Sequence, residues 1–248
     1  MSENGRFKIF KIFESYPDLI ATISMTRDGN CYFAPTGDAA TDKATPVNRA
    51  TFLAKLDIPH DRVVSAGLVH GGKTHRATFD DDGNVVPDID ALFAQSRDFF
   101  LSITVADCLP LFLFDPETKT FGLIHAGWRG LVAGVVPNTI NAIARECGVR
   151  AENLLAGIGP GIGPCHFEVQ TDVAEQFASF PDAIVHRDGK IFVDLRAIAR
   201  AQLLALGAKA DHLEISDECT YDLKDNYFSW RRDKPAFKQT MMAVIGLQ

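Results

Sequence analysis

The chain has no Cys-x-x-Cys pair, and its five cysteines (Cys31, Cys108, Cys147, Cys165 and Cys219) are an odd number set far apart. That pattern argues against a disulfide framework. It also gives no reason to expect a closed structural zinc knuckle, whose ligands usually come in close pairs. No stretch approaches the roughly 18 apolar residues needed to span a bilayer, so no membrane helix is expected. Residues 1–13 lack the uninterrupted apolar core of a signal peptide, and the expected location is the cytoplasm. There is no long Lys/Arg run, and the formal net charge is -7. Binding along a nucleic-acid backbone is therefore not expected, although a single nucleotide-sized anion is compatible. Internal repeats and low-complexity linkers are missing too, so residues 1–248 read as a single domain.

What remains is an ordinary globular composition of 248 residues, 46% hydrophobic and 23% charged, enough for a sizeable core. Apolar runs predict strands at 19–25, 63–69, 101–105, 111–114, 121–124, 154–158, 190–193, 213–215 and 241–245. Two helices are legible. Ile140, Ile143, Ala144 and Cys147 share a face, with Pro137 suited to a first turn and Gly148 to a stop. Leu195, Ile198, Ala199, Leu203 and Leu206 form a second stripe between an Asp194 N-cap and Gly207. Residues 28–48, rich in Gly, Thr, Asp and Pro, read as a long loop. Strands outnumber helices, which predicts an α/β protein of α+β type. Strict βαβ alternation does not fit.

The chemistry concentrates at strand exits. Cys108 lies between Asp107 and Pro110 after one apolar run. His125 ends another and precedes Gly127, and His70 ends a third before Gly71-Gly72. A thiolate and two imidazoles held this way predict a mononuclear metal centre with an open position. Taken alone, each would be a small core residue or a satisfied histidine; Cys147, on a buried helix stripe, is read that way. His60, His75, His186 and His212 lie in polar surroundings and read as surface residues. Gly127-Trp128-Arg129-Gly130 leads into a helical region, where backbone amides and the Arg129 fork suit a phosphate or carboxylate; an internal ion pair is the bland alternative. The run from Gly157 to Cys165 has neither a phosphate-loop Lys-Ser/Thr nor a GxGxxG helix start. It lets backbone line a pocket closely, with Cys165, His166 and Glu168 directly after it.

These segments resemble the YfiH-like, laccase-domain family, whose members are variously called multicopper polyphenol oxidases, peptidoglycan editing factors and purine nucleoside phosphorylases. The pieces carrying the likeness are Val69-His70-Gly71, Thr104-Val105-Ala106-Asp107-Cys108-Leu109-Pro110, His125-Ala126-Gly127-Trp128-Arg129-Gly130, Gly159-Pro160-Gly161-Ile162-Gly163, Glu168-Val169, Cys219-Thr220 and Ser229-Trp230-Arg231-Arg232-Asp233. The sequence departs from the pattern at Leu68, where the family usually has glutamine, at Asp38-Ala39-Ala40, and at Phe237-Lys238.

The resemblance implies a single-domain layered sandwich of mixed β-sheets flanked by helices. It implies a zinc or copper ion on His70, Cys108 and His125. It also implies phosphorolysis of adenosine, inosine and methylthioadenosine, together with deamination of adenosine. The expected partners are a purine nucleoside and phosphate, and the expected assembly is a monomer or small homo-oligomer. Asp107, Cys108 and Arg129 are the candidate catalytic residues. Arg49, Glu168 and Arg231 are the candidate substrate contacts, with Asp107 or Glu168 as proton shuttle or Asp107 as a partner orienting a ligand histidine. A copper-dependent polyphenol oxidase is ranked lower because the chain has only seven histidines, mostly dispersed. A peptidoglycan-precursor hydrolase with Cys108 as nucleophile is disfavoured because a metal-bound thiolate has its lone pairs engaged. A non-catalytic zinc protein is disfavoured by three ligands beside a Gly-rich pocket.

Overall fold

A computed structural model describes residues 9–248 apart from Pro235 and Phe237. The family departure noted at Phe237 thus lies outside the described residues. In chain order the strands are β1 (Leu19–Ile23), β2 (Val63–Gly67), β3 (Thr74–Arg76), β4 (Val85–Pro87), β5 (Ala91–Ala94), β6 (Phe99–Val105), β7 (Leu109–Asp115), β8 (Thr120–Ala126), β9 (Leu155–Ile158), β10 (Glu168–Val169), β11 (Ile184–Arg187), β12 (Lys190–Val193), β13 (Leu213–Ile215) and β14 (Met241–Leu247). The helices are α1 (Ala39–Ala54), α2 (Trp128–Val132), α3 (Val135–Cys147), α4 (Thr171–Glu175), α5 (Leu195–Ala205) and α6 (Trp230–Asp233).

Two large mixed sheets carry the fold. One runs β1-β14-β6-β2-β4 and the other β13-β9-β7-β8-β5-β3, while β10-β12-β11 form a small antiparallel sheet. Alternation along the strands sets the layers. In β7, Phe112 and Phe114 enter the core shared with Leu101 and Ile103 of β6 and Ile245 of β14. The intervening Leu111 and Leu113 pack with Ile140 and Ile143 of α3 and Ile198 of α5. On the far side, Phe100 of β6 and Val244 of β14 lie in a third cluster with Phe52 and Leu53 of α1. The central strands are covered on both faces, which explains why β6, β7, β8 and β14 read as unbroken apolar runs. The result is a mixed α/β layering of helix, sheet, sheet and helices, as the sequence predicts.

Helices α3 and α5 match their signals. Gly148 ends α3 in the left-handed region at φ 69°, and the Asp194 side chain accepts from Arg196 N and Ala197 N at 2.9 and 3.1 Å. The expected loop over 28–48 requires correction, since α1 begins at Ala39. Asp38 caps it by accepting from Thr41 N at 2.8 Å. Only Thr45, Phe52 and Leu53 of α1 are buried and Pro46 sits inside it, so the apolar period is faint and the proline misleads. The strand expected over 63–69 stops at Gly67, and Val69 is exposed. Among the described residues no helix is long and apolar enough to cross a membrane.

Candidate metal centre

Antiparallel pairing of β7 with β8 places Pro110 opposite His125, which brings Cys108, just before β7, to the end of β8. His70 follows β2 in a left-handed backbone conformation at φ 59°. The metal-type atoms of His70, Cys108 and His125 lie within 4.8 Å of one another, and the two imidazoles meet edge to face with centroids 4.8 Å apart. The three ligand residues predicted from sequence are therefore brought together. His125 is buried, Cys108 half-buried and His70 exposed, so the group is open to solvent on the His70 side.

Asp90, immediately before β5, organises this group. Its buried carboxylate accepts from His125 Nδ1 at 2.8 Å and from the backbone N–H groups of His70 at 2.8 Å and Gly71 at 2.6 Å. Its carbonyl accepts from His125 N at 2.8 Å. One carboxylate thus fixes the ring of His125 and the backbone of His70, leaving His125 Nε2 able to take an ion. Burial opposes the Asp90 anion, but the hydrogen bonds from His125, Gly71 and His70 outweigh it and hold the acid below the usual carboxylate range. Burial likewise opposes the Cys108 thiolate, yet the His125 charge and the hydrogen bonds of both imidazoles bring the thiol down to about 6. Burial opposes the His125 cation, but Cys108 and Asp90 raise that imidazole to about 9. The geometry prepares a thiolate, which is the form that ligates metal. Gly127 completes the cradle, because a Cβ there would stand 2.7 Å from Cys108 Sγ and 3.3 Å from His70 Cδ2.

A cavity of about 760 Å³ opens over these three side chains. Tyr32, Phe33, Phe167, Trp128 and Trp230 supply aromatic walls, with Asp107, Arg129 and Arg231 among its polar groups. An aromatic-walled cavity of this size, with few convergent polar groups, suits one flat heterocyclic ligand. Arg129 is exposed, its guanidinium 4.4 Å from the Trp128 ring centre, and no carboxylate among the described residues pairs with it. The internal ion pair is thereby set aside. Helix α2 spans only five residues, too short for an appreciable macrodipole, so any anion affinity rests on the guanidinium.

Asp107 lines the cavity with φ 82°, and its oxygens accept from Thr220 Oγ1 and Arg231 N, both at 2.7 Å. Arg231 also donates through Nη1 to the Glu168 carbonyl at 2.8 Å. The remaining sequence-derived contacts stand apart. Arg49 does not line the cavity; it donates to the Tyr32 carbonyl and sits 4.7 Å over the Phe33 ring, bracing the wall from behind. The Glu168 side chain pairs with Lys190 at 2.9 Å and lines an adjoining groove of about 440 Å³ that shares Trp128, Phe167 and Arg231 with the cavity. Arg232 donates to the Thr220, Tyr221 and Tyr227 carbonyls, which ties down the chain beside the site. Cys165 and His166, expected near the same cavity, do not line it. His60 and His186 are exposed as expected, whereas His75 and His212 are half-buried and His75 pairs with Asp81 at 3.0 Å. Asp90 escaped the sequence reading, because one aspartate ahead of a four-residue strand carries no periodic signal.

The family model described as multi-copper polyphenol oxidoreductase laccase matches residues 30–248. Purine nucleoside phosphorylase YlmD of Geobacillus stearothermophilus is 31% identical over 223 residues, 85% of this chain and 80% of the relative. A purine nucleoside phosphorylase of Deinococcus radiodurans is 35% identical over 217 residues, 85% of this chain and 81% of the relative. The crystal structure of YlmD from Geobacillus stearothermophilus superposes with a TM-score of 0.85 at 28% identity, covering 93% of this chain and 92% of that one.

Proposed function

Since this chain belongs to the multi-copper polyphenol oxidoreductase laccase family, we propose that it is a metal-dependent purine nucleoside phosphorylase acting on adenosine, inosine and methylthioadenosine. One observation carries the reading: a single cavity of about 760 Å³ joins His70, Cys108 and His125 to aromatic walls and an exposed Arg129. The names of the relatives, purine nucleoside phosphorylases at 31% and 35% identity, support it.

Two imidazoles and a thiolate are the donor set of a zinc ion, with copper the alternative, and three protein ligands leave a position for a reactant. When bound, the ion supplies Lewis-acid polarisation at the reacting end of the cavity. The chain's own residues do the rest. The Arg129 fork holds phosphate toward the anomeric carbon, and the aromatic walls fix the base and exclude water. The C–N bond to the purine breaks as phosphate adds, giving free base and ribose 1-phosphate, or 5-methylthioribose 1-phosphate from methylthioadenosine. Asp107 holds Arg231 and the Cys108 turn in place, while Arg49 and Glu168 support the walls. Deamination of adenosine in the same cavity is the second part of the proposal, with Asp107 as its acid-base group.

The test is metal analysis of purified protein followed by nucleoside turnover with and without phosphate. Phosphate-dependent release of base and ribose 1-phosphate is expected, and release at equal rates without phosphate would overturn the phosphorylase reading. Formation of inosine from adenosine tests the deaminase half. Turnover of phenols alone, by the copper-loaded protein, would move the chain to the oxidase class.

A further inference from the structure

A second set of metal-type donors lies outside the cavity. Cys165, His166, Cys219 and Asp222 each offer one ligand atom, and these atoms lie within 4.8 Å of one another. None of the four residues lines the cavity over His70, Cys108 and His125. We propose that these four side chains form a second metal site, a closed structural one of zinc type.

The separations support this. His166 Nδ1 is 3.4 Å from Asp222 Oδ1 and 4.0 Å from Cys219 Sγ, and Cys165 Sγ is 3.5 Å from Asp222 Oδ2. Zinc bonds of about 2.0 Å to nitrogen or oxygen and 2.3 Å to sulfur give tetrahedral edges of roughly 3.3–3.8 Å, so small side-chain adjustments close the shell. The surroundings are arranged for it. The His166 ring stacks on Tyr221 at 3.9 Å and 12°, which fixes its orientation. Gly163 N donates to Cys219 Sγ at 3.2 Å, which orients the sulfur. A Cβ on Gly163 would stand 3.0 Å from Cys165 Sγ, so a side chain there would crowd the thiol. Cys219 is buried, Cys165 and His166 half-buried and Asp222 exposed, leaving a route from solvent to the donors.

Two sulfurs, a nitrogen and an oxygen fill a tetrahedron, so no position remains for substrate and the role is structural. The consequence reaches the first centre through the chain. The ion joins the segment 163–166 to the segment 219–222. Thr220 N already donates to the Gly161 carbonyl at 3.1 Å, and Thr220 Oγ1 holds Asp107. The His166 carbonyl accepts from Arg231 Nη1 at 3.3 Å. A clamp here stiffens the wall that carries Asp107 and Arg231.

Metal-free protein reloaded with zinc and dialysed should hold two ions per chain by elemental analysis. Cys165→Ser and Asp222→Ala should each hold one, and so should Cys108→Ala, whereas Cys108→Ala combined with Cys165→Ser should hold none. Cobalt in the Cys108→Ala protein should still show a thiolate charge-transfer band, lost on adding Cys165→Ser. A wild-type chain that binds one ion, removed completely by Cys108→Ala, would overturn the site. So would a Cys165–Cys219 disulfide in native protein. Should the Cys165 variant fail to fold, the Cys108→Ala protein decides: one zinc ion per chain, removable by a chelator, is expected, and no bound zinc refutes the proposal.

Discussion

Asp90 and His125 face each other at 2.8 Å in the protein interior, and the same carboxylate holds the backbone N–H groups of His70 and Gly71. One residue outside the ligand set therefore aligns two of the three ligands. Asp90→Asn places an NH2 among donors and removes the anion. Affinity at the His70, Cys108 and His125 centre should fall about 10–100-fold, the usual cost of losing a partner to a ligand histidine. Competition with a chelator, in the Cys165→Ser background, measures it. Unchanged affinity would deny Asp90 this role.

Cys108 should be the reactive thiol of metal-free protein. Its thiolate forms as pH rises through about 6, while burial pushes Cys31 up to about 11 and burial with neighbouring Cys219 and Asp222 pushes Cys165 up to about 12. Iodoacetamide at pH 7 should label Cys108 before those two, with a rate that rises toward pH 7 and then levels off. His125→Gln removes the positive charge, so the inflection should move upward. Mass mapping of labelled peptides over a pH series gives both numbers.

Gly127→Ala inserts a methyl 2.7 Å from Cys108 Sγ. Overpacking of this kind costs about 1–3 kcal/mol. Here the displaced atom is a ligand, so metal content should drop further than that strain alone explains. Elemental analysis beside a thermal melt separates the two effects; retained metal with lowered stability would show that Cys108 can shift without cost to the site.

Arg129→Lys tests the phosphate contact. Replacing a fork with a point charge forfeits a charge-assisted hydrogen bond of about 1.5–3 kcal/mol. KM for phosphate should therefore rise roughly tenfold or more at constant metal content. An unchanged phosphate dependence would leave Arg129 as a lid for Trp128.

The two-sided core strands and the helices α3 and α5 were legible because period-two and period-3.6 burial write themselves into residue order. Helix α1 was not, since it covers its sheet with few apolar side chains and contains Pro46. Cys108, His125 and His70 were legible as polar groups abruptly ending apolar runs. Their alignment by Asp90 was not, because it depends on the β5–β8 pairing that sets Ala91 opposite Ile124. The cluster at Cys165 and Cys219 was hidden for a related reason: its donors come from segments 53 residues apart, joined only when the parallel bridge of Gly161 to Cys219 forms. Arg49 shows the converse, matching a pattern in order while standing outside the cavity in space, and Glu168 stands in the adjoining groove.

The hairpin of β7 and β8 has one further consequence. Its aromatic face lies in the sandwich core and its leucine face lies beneath α3 and α5, so Cys108 and His125 form a fixed jaw that opens only with the whole interior. His70 is the other jaw, exposed, on a left-handed turn, and tied by backbone bonds to Asp90. Any ion held by the three side chains would therefore exchange with solvent on the His70 side, the one side of the group that is exposed.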